Sequence, residues 1–156
     1  MAPTKDEEYA RQEAELDDLY RQVIIDHYRN PRHRGSLPSP TASHEGFNPL
    51  CGDEVTVDLL VNGGVIQDVA FNGAGCSISQ SSASMMTEAV LGKSLDEVRH
   101  LIDGFTEMMR GADDVDEDAL GDLEAFSGVR KFPVRVKCAT LAWHTLDEAL
   151  QEASGK

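Results

Sequence analysis

Positive charge is scarce in this chain: 14 Lys and Arg stand against 28 Asp and Glu, a formal net charge of -14. So acidic a surface repels polyanions, which argues against a DNA- or RNA-binding protein. It suits a basic protein partner, or solubility alone. Long apolar runs are missing too, and no stretch approaches the roughly 20 apolar residues that span a bilayer. The opening Met1-Ala2-Pro3-Thr4-Lys5-Asp6-Glu7-Glu8 has no apolar core of a secretion signal and is acidic where a transit peptide is basic. The expectation is a cytoplasmic protein with no membrane partner. Cysteine is sparse and odd in number; three cannot all pair within one chain, which excludes a self-contained disulfide framework. What is present is ordinary: 40% apolar residues in a chain of 156, enough for one domain with a real core.

The three cysteines carry the chemistry. Cys51 sits in Asn48-Pro49-Leu50-Cys51-Gly52-Asp53, Cys76 in Gly73-Ala74-Gly75-Cys76-Ser77, and Cys138 in Arg135-Val136-Lys137-Cys138-Ala139. Each falls where a turn or an element end aims a thiolate at a common point. Asp53, two residues past Cys51, adds a carboxylate from the same loop. Three thiolates and one carboxylate form a closed four-ligand set suited to tetrahedral zinc. The plainer alternative is three buried thiols packing as small apolar groups. The glycines beside two of the three favour the metal site.

Along the chain, residues 1–14 read as a flexible acidic arm. Leu16, Leu19, Tyr20, Val23, Ile24 and Tyr28 recur at helical spacing, and Asn30-Pro31 ends that helix. Residues 32–48, with Gly35, Pro38, Pro40 and Gly46, read as a loop. Val55, Val57, Leu59 and Val61 alternate as a strand, Asn62-Gly63-Gly64 is a hairpin turn, and Val65–Phe71 returns. A helix follows over Ser77–Val90, putting Cys76 at its N-terminus, where the helix dipole favours a thiolate. Its serines read as cap and packing residues, because no histidine lies near them in sequence to activate a nucleophile. Ser94-Leu95-Asp96-Glu97 has the form of a capping box opening a helix to Met109. The acidic run from Ala112 to Asp118 reads as an exposed connection, and Leu120, Leu123 and Phe126 as a short helical piece. Phe132–Lys137 reads as extended, with Cys138 opening a final helix through Leu150.

These segments resemble the iron–sulfur cluster assembly scaffold superfamily, in its SufU-type branch rather than the IscU type. The matching stretches are Leu19–Pro31, Asn48–Asp53, Gly73–Ser84 and Arg135–Trp143, in family order across residues 16–150. The resemblance implies a compact single-domain α+β fold over residues 15–152, a three-stranded antiparallel sheet packed against several helices. The third strand is expected just before or within the 32–48 loop. It also implies that Cys51, Asp53, Cys76 and Cys138 hold one Zn2+, with iron or a [2Fe-2S] cluster as the alternative cargo. IscU-type members carry a histidine before the last cysteine, where this chain has Lys137. The acidic residues within about 111–128 fall where SufU-type members carry an insertion. Both features point to the zinc branch.

The function implied is transfer of persulfide sulfur from a pyridoxal-phosphate-dependent cysteine desulfurase (SufS-type) to a downstream SUF assembly complex. Cys51 is the implied acceptor, displaced from zinc by a histidine of the desulfurase, and Arg135 is implied to guide the released cysteine. The alternatives are a scaffold for [2Fe-2S] assembly and a purely structural zinc domain. His27, His33, His44, His100 and His144 have no ligand spacing with any cysteine motif.

Overall fold

The computed structural model describes residues 4–112 and 114–155, apart from the side chains of Tyr9, Glu13 and Leu16. The expectations for residues 1–3, the Leu16 side chain and Asp113 lie outside those residues. Helix α1 runs over Lys5–Arg29, and three strands follow: β1 Ala42–Asn48, β2 Asp53–Asn62 and β3 Val65–Ala74. Then come α2 Ser77–Val90, α3 Leu95–Met109, the one-turn α4 Glu117–Leu120, a 3-10 helix over Gly121–Lys131, and α5 Pro133–Ser154. The sheet is antiparallel in the order β1-β2-β3, the α+β architecture expected.

The β2–β3 hairpin forms where the alternation of Val55, Val57 and Leu59 places it. Gly63 and Gly64 take φ of 63° and 75°, the left-handed pair that a two-residue turn between twisted strands requires. The third strand, β1, lies within the stretch read as a loop. Its sequence Ala-Ser-His-Glu-Gly-Phe-Asn has no apolar alternation, because an edge strand buries little. Pairing in register from Ala42 opposite Leu59 to Asn48 opposite Asp53 makes it a strand. Asp58 accepts from the Leu37 N–H of the segment before β1 and from the hydroxyl of Ser43, its partner in β1.

Three aromatic rings lock the helices together over the sheet. Phe105 of α3 stacks on Trp143 of α5 at 4.7 Å and meets Phe126 edge-on at 6.0 Å. The serines of α2 are packing residues, as read: Ser82 donates to the Ala139 carbonyl at 2.6 Å and accepts from the Trp143 indole at 3.1 Å. Small hydroxylated side chains let α2 approach α5 closely while the Ser82 hydroxyl stays paired.

Two elements differ from expectation. The segment read as a flexible arm is helical from Lys5, closed by a Thr4–Glu7 capping box and acidic residues in the first turn. Its described side chains up to Leu19 are exposed, so local capping rather than burial sustains it. The segment Phe132–Lys137 is not extended. Pro133 starts α5, since a proline at the first helical position loses no hydrogen bond and has its φ preset. Cys138 therefore stands in the second turn of α5 and not at its start.

Candidate metal centre

Four chain segments meet at one end of the sheet. The turn between β1 and β2 carries Cys51, held by its N–H on the Asn48 carbonyl at 3.3 Å. The Asn48 side chain shapes the same turn, its Oδ1 accepting from the Leu50 N–H at 3.2 Å. Gly52 has φ of 68° and lets the chain reverse into β2. Asp53, the first residue of β2, is 0% exposed. Cys138 arrives from α5, also at 0% exposure. Cys51 and Cys76 are half-buried.

One ligand atom each from Cys51, Asp53 and Cys138 lies within 4.8 Å of the others. The Cys51 and Cys138 sulfurs are 3.2 Å apart, the Cys138 thiol donating. Asn48 also directs its Nδ2 toward the Cys138 sulfur at 3.9 Å. Cys76 is the N-cap of α2, as the sequence indicated, and its sulfur accepts from the Ser79 N–H at 3.4 Å. It falls outside the 4.8 Å set, but its backbone N–H donates to Asp53 Oδ1 at 2.9 Å. That bond ties the α2 N-terminus to the carboxylate. Gly75 permits the approach: a Cβ there would stand 2.5 Å from Asp53 Oδ1 and 2.6 Å from Ser79 Oγ.

The electrostatics call for a cation. Asp53 Oδ2 is fully buried without a hydrogen-bond partner, a costly state for a carboxylate oxygen. Burial pushes the Cys138 thiol well above its ordinary range, and Asp53, Cys51 and Cys76 push in the same direction. Converging acceptors with no positive charge among them oppose ionisation; a divalent ion reverses that balance. The donors are soft sulfur and hard oxygen, the mixture zinc accepts. The residues present therefore fit a zinc ion.

The remaining candidates lie apart from this set. Arg135 is exposed on the first turns of α5 and makes no ion pair among the described residues. Lys137 is exposed beside Cys138. None of the five histidines joins the group: His27 is buried against Ser84, His44 faces Glu148 and Glu152 of α5, and His100 faces Asp116. Asn48 and Gly75 are the site residues that the motif reading passed over. Their signal was adjacency to the cysteines, but their roles, donor and space, emerge only in three dimensions.

A compact α+β domain with a thiol–carboxylate metal site at one end of its sheet is the class these observations define. Residues 19–152 match the NifU-like N terminal domain, and the chain belongs to that family. It is 45% identical over 142 residues to the zinc-dependent sulfurtransferase SufU of Bacillus subtilis, covering 91% of this chain and 96% of that one. It is 43% identical over 141 residues to the iron–sulfur cluster assembly scaffold protein IscU of Streptococcus pyogenes, covering 90% and 88%. Among solved structures, a candidate iron–sulfur cluster assembly scaffold for the SUF system from Fervidobacterium islandicum superposes with a TM-score of 0.79. It is 39% identical, covering 82% of this chain and 93% of that one.

Proposed function

We propose that this protein is a zinc-dependent sulfur carrier that accepts persulfide sulfur from a cysteine desulfurase for iron–sulfur cluster biogenesis. Cys51, Asp53, Cys76 and Cys138 would hold the ion. The observation that carries the reading is the pairing of a turn-borne thiol, Cys51, with a buried thiol and a buried, unpartnered carboxylate oxygen. One thiol is placed to move and its neighbours are placed to stay. Bound there, zinc would keep its sulfur ligands ionised and shield them from chance oxidants.

Transfer is a thiol–persulfide exchange. The Cys51 thiolate attacks the outer sulfur of the donor persulfide; a new S–S bond forms on Cys51 while the donor bond breaks and its cysteine leaves as thiolate. Cys51 must leave its neighbours for that attack, and it is the ligand carried on a turn between strands rather than inside an element. Cys138 is fixed in the second turn of α5, Asp53 in β2, and Cys76 at the α2 cap, so these three retain the site. Arg135 supplies an exposed guanidinium three residues before Cys138, suited to steady an emerging thiolate or persulfide.

A protein donor needs a docking surface, and apolar side chains flank the site. Leu50, beside Cys51, is 65% exposed; Phe132 and Val134, at the start of α5, are 60% and 54% exposed. The donor inferred is a pyridoxal-phosphate enzyme of the SufS type, and the recipient a SUF assembly complex. Among the described residues no helix is long and apolar enough to cross a membrane, and a cytoplasmic setting is part of the proposal.

The test is to mix the zinc-loaded protein with the cysteine desulfurase of its own organism and free cysteine, and follow persulfide by mass spectrometry. Wild type should gain one sulfur, mapped to Cys51, and Cys51→Ala should gain none. A persulfide that accumulates at the wild-type rate on Cys51→Ala would contradict the assignment.

The second reading, a scaffold for a [2Fe-2S] cluster, is favoured by the IscU relative at nearly the same identity. Thiolates take iron as well as zinc. Stable cluster uptake on reconstitution, followed by its transfer to an apo-acceptor, would select that reading over the carrier.

A further inference from the structure

The two thiols of the site are closer than ligand sharing alone explains. Cys51 and Cys138 stand with sulfurs 3.2 Å apart, while a disulfide holds them at about 2.05 Å, so a closure of about 1.2 Å joins them. The turn that carries Cys51 supplies such a shift without moving α5. Cys76 lies outside the 4.8 Å set that holds Cys51 and Cys138, and its sulfur accepts from the Ser79 N–H.

The geometry points to Cys138 as a resolving thiol. In protein stripped of its metal, it cleaves a persulfide on Cys51, releasing hydrogen sulfide and leaving a Cys51–Cys138 disulfide. The inference deepens the sulfur-carrier reading and takes from it the persulfide on Cys51. Cys138 Sγ attacks Cys51 Sγ, and the Cys51–outer sulfur bond breaks as the new bond forms. The electron pair of the broken bond leaves with the outer sulfur, which is reduced from sulfane to sulfide. The two cysteine sulfurs are oxidised to the disulfide. The Cys138 thiol proton and the persulfide proton depart as hydrogen sulfide, so no external oxidant enters. A dithiol reductant returns the pair to thiols.

The bound metal keeps this exit slow during normal transfer. Coordination of Cys138 by the metal would withhold the sulfur altogether. Metal retention thus decides how sulfur leaves Cys51: as sulfane handed to an acceptor, or as free sulfide.

The experiment loads Cys51 chemically, with limiting inorganic polysulfide and no desulfurase, on zinc-stripped and zinc-loaded full-length protein. Intact mass, released sulfide and peptide maps are followed together. In stripped wild type the mass gain of one sulfur should give way to the loss of two hydrogens. One sulfide per chain should appear, with a peptide linking Cys51 to Cys138. Stripped Cys138→Ser should keep its persulfide at least ten-fold longer, and zinc-loaded wild type should retain persulfide. A persulfide on stripped wild type as long-lived as on Cys138→Ser overturns the inference. So does a crosslink to Cys76, or equal sulfide release with zinc bound. The wild-type peptide map decides the matter even if a variant folds poorly. Because the polysulfide bypasses the desulfurase, failure here leaves sulfur acceptance standing, and failure of acceptance leaves this result standing.

Discussion

Gly75 shows how single residues tune the centre. It is the residue whose missing side chain lets the Asp53 carboxylate reach the Cys76 N–H, with 2.5 Å separating a hypothetical Cβ from Asp53 Oδ1. Groups that orient a metal ligand are worth roughly 10–100-fold in metal affinity. Gly75→Ala should therefore weaken zinc binding by about that factor while far-ultraviolet circular dichroism stays native, as read by competition with a chromophoric chelator. Unchanged affinity would show that Asp53 is free of the metal. Asp53→Ala removes the oxygen itself and should lose more. At this scale the sequence was informative. Of the four residues singled out, Cys51, Asp53 and Cys138 lie together and Cys76 stands outside that group, its N–H on Asp53. The Asn48 contact to the Cys138 sulfur was not legible, since it joins residues 90 positions apart.

Among the elements, the joint between α1 and α2 is the most telling. Arg32 N–H donates to Ser84 Oγ at 2.9 Å, and the same hydroxyl shares a hydrogen bond with His27 Nδ1 at 2.7 Å. A neutral imidazole satisfies that arrangement. Burial lowers the His27 pKa, and the Arg32 charge lowers it further. The unfolded chain, with its histidine near pKa 6.5, then takes up the proton first as pH falls. Stability is full above about pH 6.5 and declines as pH drops toward the lower folded value. The urea midpoint should fall from about pH 7 to about pH 5 in wild type and fall less in His27→Gln; identical slopes would contradict this account. The same scale holds the misread segments. Strand β1 is polar because it is an edge, so pairing with β2 defines it more than its own residues do. Phe132–Lys137 reads as extended in the sequence, yet Pro133 and the packing of Ala139, Ala142 and Trp143 carry the helix back through Val134 and Val136. Two branched residues weigh little against a 22-residue helix with a buried face.

Taken whole, the molecule is an acidic body with its reactive end built from four separate segments. With a net charge of -14, it repels polyanions and draws basic surfaces, while the apolar Leu50, Phe132 and Val134 flank the thiols. Such a surface suits a protein donor that brings its sulfur to Cys51. The central claim is that sulfur acceptance depends on zinc. Its most direct test is the turnover of the cysteine desulfurase from the same organism, measured without iron, with zinc-loaded protein and again after chelation. The account predicts strong stimulation by the loaded form, its loss on stripping, and its return when zinc is restored. Equal turnover with both forms would contradict it.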